Sequence, residues 1–414
     1  MSLRNKRIAI LNDSTKYGRL TIMQQPIVHT YSLGELYTER KEKGDPSLPI
    51  LTVSIHAGVS EGELDEDKLG KKVKRIADKT QYKTARKGDL VFNMMRAWQG
   101  AIGVVRSDGL VSPAYIVAKS NEKIWPEYMD YCMKTPRMIH AIHRQSYGVT
   151  DFRLRLYWDS FTPITCQLPP LPEQQKIAAI LSTQDKVIEL KEKLLAQKQQ
   201  QKKYLMQQLL TGRKPHKNNP RIEECEIGEV CKINPKQDKI SESQVVFLGM
   251  ADISETGSVV SQRLVDFSHI QSGFTAFRRG DILIAKITPC FENGKGAYTD
   301  NLLSEHGFGS TEFHVLRTNS KVNAKYIFYH TVSEKFRKKL EREMTGSAGQ
   351  KRVPAISIQK YKIFLPSSNE QNFIIEILST ADHEIDLLQK SIEAEKQKKK
   401  ALMQLLLTGA MRVK

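Results

Sequence analysis

Apolar residues follow two rhythms along this chain: long stripes at alternating four- and three-residue steps, and short runs bounded by polar turns. The first stripe passes through Ile177, Leu181, Gln184, Ile188, Lys191, Leu195, Lys198, Lys202, Leu205 and Leu209. The second passes through Ile374, Leu378, Ala381, Ile385, Leu388, Ile392, Glu395, Lys399, Leu402 and Leu406. A seam spaced about 3.5 residues apart lets two helices pack along their length, so the pattern predicts two long helices that partner each other. Pro172 or Pro366 stands near the start of each, and Gly212 or Gly409 stands just past the end, where a left-handed cap is favoured. The polar middles (Lys198, Lys202, Glu395, Lys399) weaken an apolar seam. They mark either an approach point for another molecule or solvated lysines.

The two stripes are copies. Glu173–Gly212 aligns without gaps on Glu370–Gly409, 197 positions later, with about half of the positions identical. Both copies carry Ile-Leu-Ser-Thr (Ile180–Thr183, Ile377–Thr380) followed by Asp185 or Asp382. Both end on Leu-Met-Gln and Leu-Leu-Thr-Gly.

The segments before the two helices have diverged but keep landmarks in order. Leu33-Gly34-Glu35-Leu36 stands against Ile227-Gly228-Glu229-Val230. Arg86-Lys87-Gly88-Asp89-Leu90-Val91 stands against Arg278-Arg279-Gly280-Asp281-Ile282-Leu283, each a polar turn entering an apolar strand. Tyr147-Gly148-Val149-Thr150 and Arg153 match Thr345-Gly346-Ser347, Lys351 and Arg352 loosely. Helical stretches are expected over Tyr128–His143 and Ala324–Glu341, and short strands over Phe161–Leu168 and Tyr361–Leu365, leading into the long helices.

The expected fold class is therefore α+β: two mixed domains joined by two long antiparallel helices forming a coiled-coil-like spacer. The expected division is an unassigned segment 1–27, a first domain 28–168, a helix 169–212, a linker 213–221, a second domain 222–365 and a C-terminal helix 366–414. At 414 residues, two domains with connecting structure fit the length.

Charge adds a partner. Lys and Arg outnumber Asp and Glu by 64 to 46, a formal charge of +18, which favours a polyanion such as double-stranded DNA. A straight helix over Pro172–Leu210 would run about 58 Å, more than the roughly 34–36 Å that separates half-sites one DNA turn apart. Such a rod can hold two reading heads apart. The chain lacks an apolar run of membrane-spanning length and a signal-peptide core, so no membrane partner and a cytoplasmic location are expected. Its five cysteines (Cys132, Cys166, Cys225, Cys231, Cys290) are scattered without a Cys-x-x-Cys pair, as suits reduced thiols.

Two diverged domains alternating with two alike helices, each introduced by Leu-Pro then Glu-Gln and closed by Leu-Leu-Thr-Gly, resemble the specificity subunits of type I restriction-modification systems. The resemblance runs from about Tyr31 onward. It implies that each domain is a target-recognition domain reading one half of a split, asymmetric DNA site. The paired helices would fix the gap and dock two methyltransferase subunits. Those partners would carry S-adenosylmethionine and methylate adenine, while restriction subunits use ATP and Mg2+ to translocate and cut. This chain itself would hold no cofactor and no catalytic residue.

Recognition needs phosphate contacts for register and base-edge contacts for sequence, and both favour Arg, Lys, Asn and Gln. The first domain offers Lys83, Arg86, Lys87, Arg96, Arg144, Arg153 and Arg155, with Tyr147 able to pack on a sugar or base. The second offers Arg278, Arg279, Lys286, Arg337, Lys338, Lys351 and Arg352. Each competes with the reading of a solvated surface charge. The run Lys71, Lys72, Lys74, Arg75 is a further phosphate candidate. Arg137, His140, His143 and Arg144 fall at helical spacings and form one basic face; with no third ligand nearby, a metal site is not expected.

Catalytic motifs are wanting. Asn293-Gly294-Lys295-Gly296 lacks the upstream glycine and the hydroxyl of a phosphate loop. Asn234-Pro235-Lys236 breaks the Asn/Asp-Pro-Pro-aromatic motif an adenine methyltransferase needs. Asp65-Glu66-Asp67-Lys68 reads better as an exposed acidic loop than as a nuclease centre. Two other functions fit the pattern: the recognition subunit of another restriction-modification class, and a coiled-coil interaction protein with no DNA role.

Overall fold

The computed structural model describes residues 20–21, 28–55, 58–60, 76–148, 153–211, 223–237, 239–270, 273–347 and 349–413. The linker 213–221, the basic run at 71–75 and the acidic stretch at 65–68 lie outside these residues. The chain divides into two units: Met1–Leu190 with Ile392–Lys414, and Lys191–Ser391. The long helices thus form no body of their own. Each is divided near its middle, and each unit holds the first half of one and the second half of the other.

In the first unit, α1 (Leu33–Leu36), α2 (Pro126–Cys132), α3 (Pro136–Gln145) and α4 (Trp158–Phe161) pack against one face of a four-stranded antiparallel sheet. Its strands run in the order Tyr37–Glu39, Tyr115–Ser120, Leu90–Asn93, Ile102–Val104. Leu90–Asn93 is buried throughout because the sheet is covered on both sides. Leu90 and Phe92 face the helices, whereas Val91 joins Leu51, Val53 and Val117 on the other face. The first long helix, α5 (Leu171–Leu209), brings Ile177 and Leu181 into the helix-side core, where Leu406 also packs. Leu20–Thr21 pairs antiparallel with Arg412–Val413, so a piece of the unassigned segment joins this unit.

The second unit repeats the plan with α6 (Ile227–Val230), α7 (Ala324–Val332), α8 (Glu334–Glu341) and α9 (Ala355–Gln359). Its sheet order is Cys231–Ile233, Phe313–Thr318, Ile282–Ala285, Gly296–Tyr298. Met206 and Leu210 enter its core together with Ile374 and Leu378 of the second long helix, α10 (Ser368–Leu407). The units diverge beside the sheet. The second adds a four-stranded mixed sheet in which Gln244–Leu248 pairs parallel with His306–Gly309, whereas the first has two short two-stranded ladders there.

The expected helix Tyr128–His143 is broken into α2 and α3, because Thr135 caps a new start with its hydroxyl and Pro136 sits at the first position. Ser333 does the same between α7 and α8. Phe161 ends a helical turn, and the strand expected from it begins only at Thr165.

The landmark turns have a physical cause. Gly88 and Gly280 take φ of +91° and +86°, a conformation that favours glycine. The following Asp89 and Asp281 are buried. Each carboxylate accepts a backbone N–H from three residues earlier and takes a forked arginine, Arg40 at 2.6 and 3.2 Å or Arg317 at 2.8 and 2.8 Å.

Along α5 and α10 the stripe positions are buried or half-buried. Within the first unit, Gln184 donates to Glu395 at 2.7 Å and Lys399 pairs with Asp185. Within the second, Lys191 donates to Ser391 at 2.8 Å, Lys198 pairs with Glu384 at 2.8 Å, and Lys202 pairs with Asp382. Rising numbers on one helix meet falling numbers on the other, so the packing is antiparallel. The polar middles of the stripes are joined across the helix pair.

Candidate nucleic-acid interface

Both units close a loop with the same backbone pattern at the same end of the central strand. In the first, Tyr147 and Arg155 exchange backbone hydrogen bonds at 3.1 and 2.9 Å, closing the base of a hairpin. The next N–H, of Leu156, donates to the carbonyl of Met94 at 2.9 Å, tying the base to the residue after strand Leu90–Asn93. In the second, Thr345 and Arg352 exchange bonds at 3.0 and 2.8 Å, and the N–H of Val353 donates to Lys286 at 2.9 Å. Gly148 and Gly346 are needed in these hairpins. A Cβ on the first would stand 2.3 Å from the carbonyl oxygen of Arg153, and the second holds φ of +124°.

The first hairpin carries exposed chemistry on an anchored base. Tyr147 is 59% exposed and its ring lies 5.1 Å from that of Tyr157. Arg153 and Arg155 are exposed. Helix α3 ends beside it with exposed His143 and Arg144, and the His143 ring lies 5.6 Å from Trp98, which follows exposed Met95 and Arg96. Arg96, Arg144, Tyr147, Arg153 and Arg155 therefore gather at one end of the sheet, as bases and phosphates require of a reading surface. The second hairpin is leaner. Lys351 is exposed, Lys286 is half-buried, and Arg352 is forked onto Glu312 at 2.8 and 3.0 Å.

Several candidates are held elsewhere. Arg86 and Lys87 sit before the strand, at the opposite end from the hairpin; Arg86 pairs with Glu42 and with Asp108 at 3.0 Å. Arg278 and Arg279 occupy the equivalent turn, and Arg279 donates to the carbonyl of Leu302 at 2.9 Å. Lys83 donates to the carbonyl of Tyr115 at 2.7 Å, and burial pushes its pKa down. Lys338 pairs with Glu334, and Arg137 donates to Gln167 at 3.2 Å. Arg337, expected among the DNA contacts, does not reach the surface. It is buried, and its guanidinium donates to the carbonyls of Thr331 at 2.7 Å, Phe291 at 3.0 Å and Gly294 at 3.3 Å, so it holds loop 291–295 rather than presenting charge to a ligand.

Among the described residues, no group of three or more His, Cys, Asp or Glu side chains is placed to hold a metal ion, and no helix is long and apolar enough to cross a membrane. None of the five cysteines is in a disulfide, and burial pushes the thiols of Cys132 and Cys231 up to about 12. Trp98 and Tyr157 carry no motif, and sequence reasoning passes over them. It also passes over the Asp185 and Asp382 partnerships, although the duplicated aspartates are visible in the repeat.

The fold is thus a duplicated α+β domain, each copy closing its own hairpin and holding parts of both long helices. The chain belongs to the family described as Type I restriction modification DNA specificity domain, which it matches over residues 34–199 and 220–396. It is 37% identical over 178 residues to the Type I restriction enzyme EcoAI specificity subunit of Escherichia coli, covering 41% of this chain and 30% of that one. The chain thus aligns with less than a third of that relative. It is 25% identical over 327 residues to the MjaVIII specificity subunit of Methanocaldococcus jannaschii, covering 74% and 75% of the two chains. A solved type I restriction-modification S subunit from M. genitalium shares the fold, with a TM-score of 0.57 at 12% identity over 94% of this chain and 99% of that one.

Proposed function

We propose that this chain is the sequence-reading subunit of a type I restriction-modification complex and that its two hairpins each read one half of a two-part DNA site. The supporting observation is the duplicated hairpin anchored on the carbonyls of Met94 and Lys286. A backbone tie to the central strand fixes the position of the exposed side chains beyond it, which base readout requires. Family membership favours this reading over a coiled-coil scaffold with no DNA role. Differences between the hairpins, an Arg/Tyr-rich one and a Lys351-bearing one, suit two unlike half-sites.

In this reading the chain supplies the address and the chemistry belongs to other subunits. Two modification subunits docked on α5 and α10 would bring S-adenosylmethionine to a target adenine. Restriction subunits would bring ATP and Mg2+. The test is to purify the chain with the modification subunits and map methylated adenines in host DNA with and without its gene. A two-part motif with a fixed gap, lost on deletion, is expected; methylation independent of the gene would overturn the proposal.

A further inference from the structure

One three-residue junction occurs twice. In the first unit, Tyr131 of α2 donates its hydroxyl hydrogen to Oδ2 of Asp185 at 2.7 Å, while Lys399 of α10 pairs with Oδ1. The same ammonium lies 5.6 Å from the centre of the Tyr131 ring, closing the triangle. In the second, Tyr329 of α7 donates to Oδ2 of Asp382 at 2.9 Å, while Lys202 of α5 pairs with Oδ1. Asp185 and Asp382 are 197 positions apart, as are Lys202 and Lys399. Each carboxylate joins three elements: a helix of the recognition domain and both long helices.

Stability alone is a poor account of this junction. Both aspartates are 39% exposed, and ion pairs of that exposure add little to stability. Geometry is a better one. With each oxygen engaged by a different element, the domain cannot slide along or roll on the helix pair without breaking a charge-assisted bond. The tyrosines lie in the diverged parts of the chain, yet stand at equivalent places in both units. Successive bases on one DNA strand are about 3.4 Å apart, so a shift of a few ångströms at a hairpin changes which base it meets.

We infer that Asp185 and Asp382, with Tyr131 and Tyr329, are positioning residues that set the register of each recognition domain on the helices and so the gap length the complex accepts. This rests on the reading proposed above. The test uses the full chain with its modification subunits, a pool of randomised double-stranded DNA, and sequencing of the bound fraction. Wild type is compared with Tyr131→Phe, Tyr329→Phe, and Asp185→Asn with Asp382→Asn. The phenylalanine variants remove only the hydroxyl and leave the ion pair in place.

The expected result is unchanged half-site sequences with a broadened gap. Binding at the wild-type spacing should fall about tenfold, with a smaller loss at spacings one base pair longer or shorter. An equal loss at every spacing would show a merely structural role, and altered half-site bases would place these residues in readout; either overturns the inference. If wild type selects no two-part site, the underlying reading fails as well.

Discussion

Gln174 accepts the backbone N–H of Trp125 at 2.9 Å, and 197 positions later Gln371 accepts that of Asn323 at 2.8 Å. Each glutamine also donates to a proline carbonyl, Pro169 or Pro366, at 2.9 Å. Both side chains are buried. The Glu-Gln signature is thus a bracket that fixes the start of α2 or α7 to the root of its long helix. Replacing Gln174 by Leu strands these backbone groups, and a loss of about 2–3 kcal/mol is expected, measured by denaturant unfolding. A change below about 0.5 kcal/mol would contradict this role.

Arg337 separates fold from recognition. Arg337→Met removes the donors that hold the carbonyls of loop 291–295, and should destabilise by about 2–4 kcal/mol. At a temperature where the variant remains folded, DNA affinity should be that of wild type. Loss of affinity without loss of stability would restore Arg337 to the interface.

On the proposed reading, the salt dependence of DNA binding should reside in the hairpins. Arg153→Ala, Arg155→Ala and Lys351→Ala should each weaken DNA binding. For every phosphate that a substitution leaves without its cation, the slope of log affinity against log salt should become shallower by about 0.9. Lys87→Ala, at the far end of the strand, should leave the slope unchanged. Equal effects from both ends would spread the interface over the whole domain.

Acid should weaken the second unit first through His330. Burial, with a smaller contribution from nearby Lys335, pushes its pKa down to about 3, and Nε2 has no hydrogen-bond partner. The ring packs edge-on against Tyr326. Because the folded value lies below the unfolded one of roughly 6.5, the stabilisation is fully present above pH ~6.5. It falls about tenfold in the folding equilibrium per pH unit below that, until about pH 3. His314, also lowered chiefly by burial, acts with the same sign. His330→Leu should flatten the stability profile between about pH 7 and 5, above the range where carboxylates titrate. An unchanged profile in thermal unfolding would show that His330 does not titrate on unfolding in this window.

The repeat, the two long helices, the α+β domains and the family are all legible in the order of residues. They rest on local signals: a 3.5-residue stripe, proline and glycine at helix ends, and Gly-Asp turns entering apolar strands. Breaks inside the short helices at Pro136 and Ser333 are also written locally, as capping residues, but the apolar rhythm running through them masks the signal. The final place of each polar side chain is settled by packing alone. Arg337 and Arg153 are alike in a sequence, yet one is drawn inside to satisfy buried carbonyls and the other stays on a hairpin in water. Lys202 and Lys399 read as loose charges until the antiparallel packing brings Asp382 and Asp185 to them. A charge is placed by partners distant in the chain, and those partners meet only when the core closes.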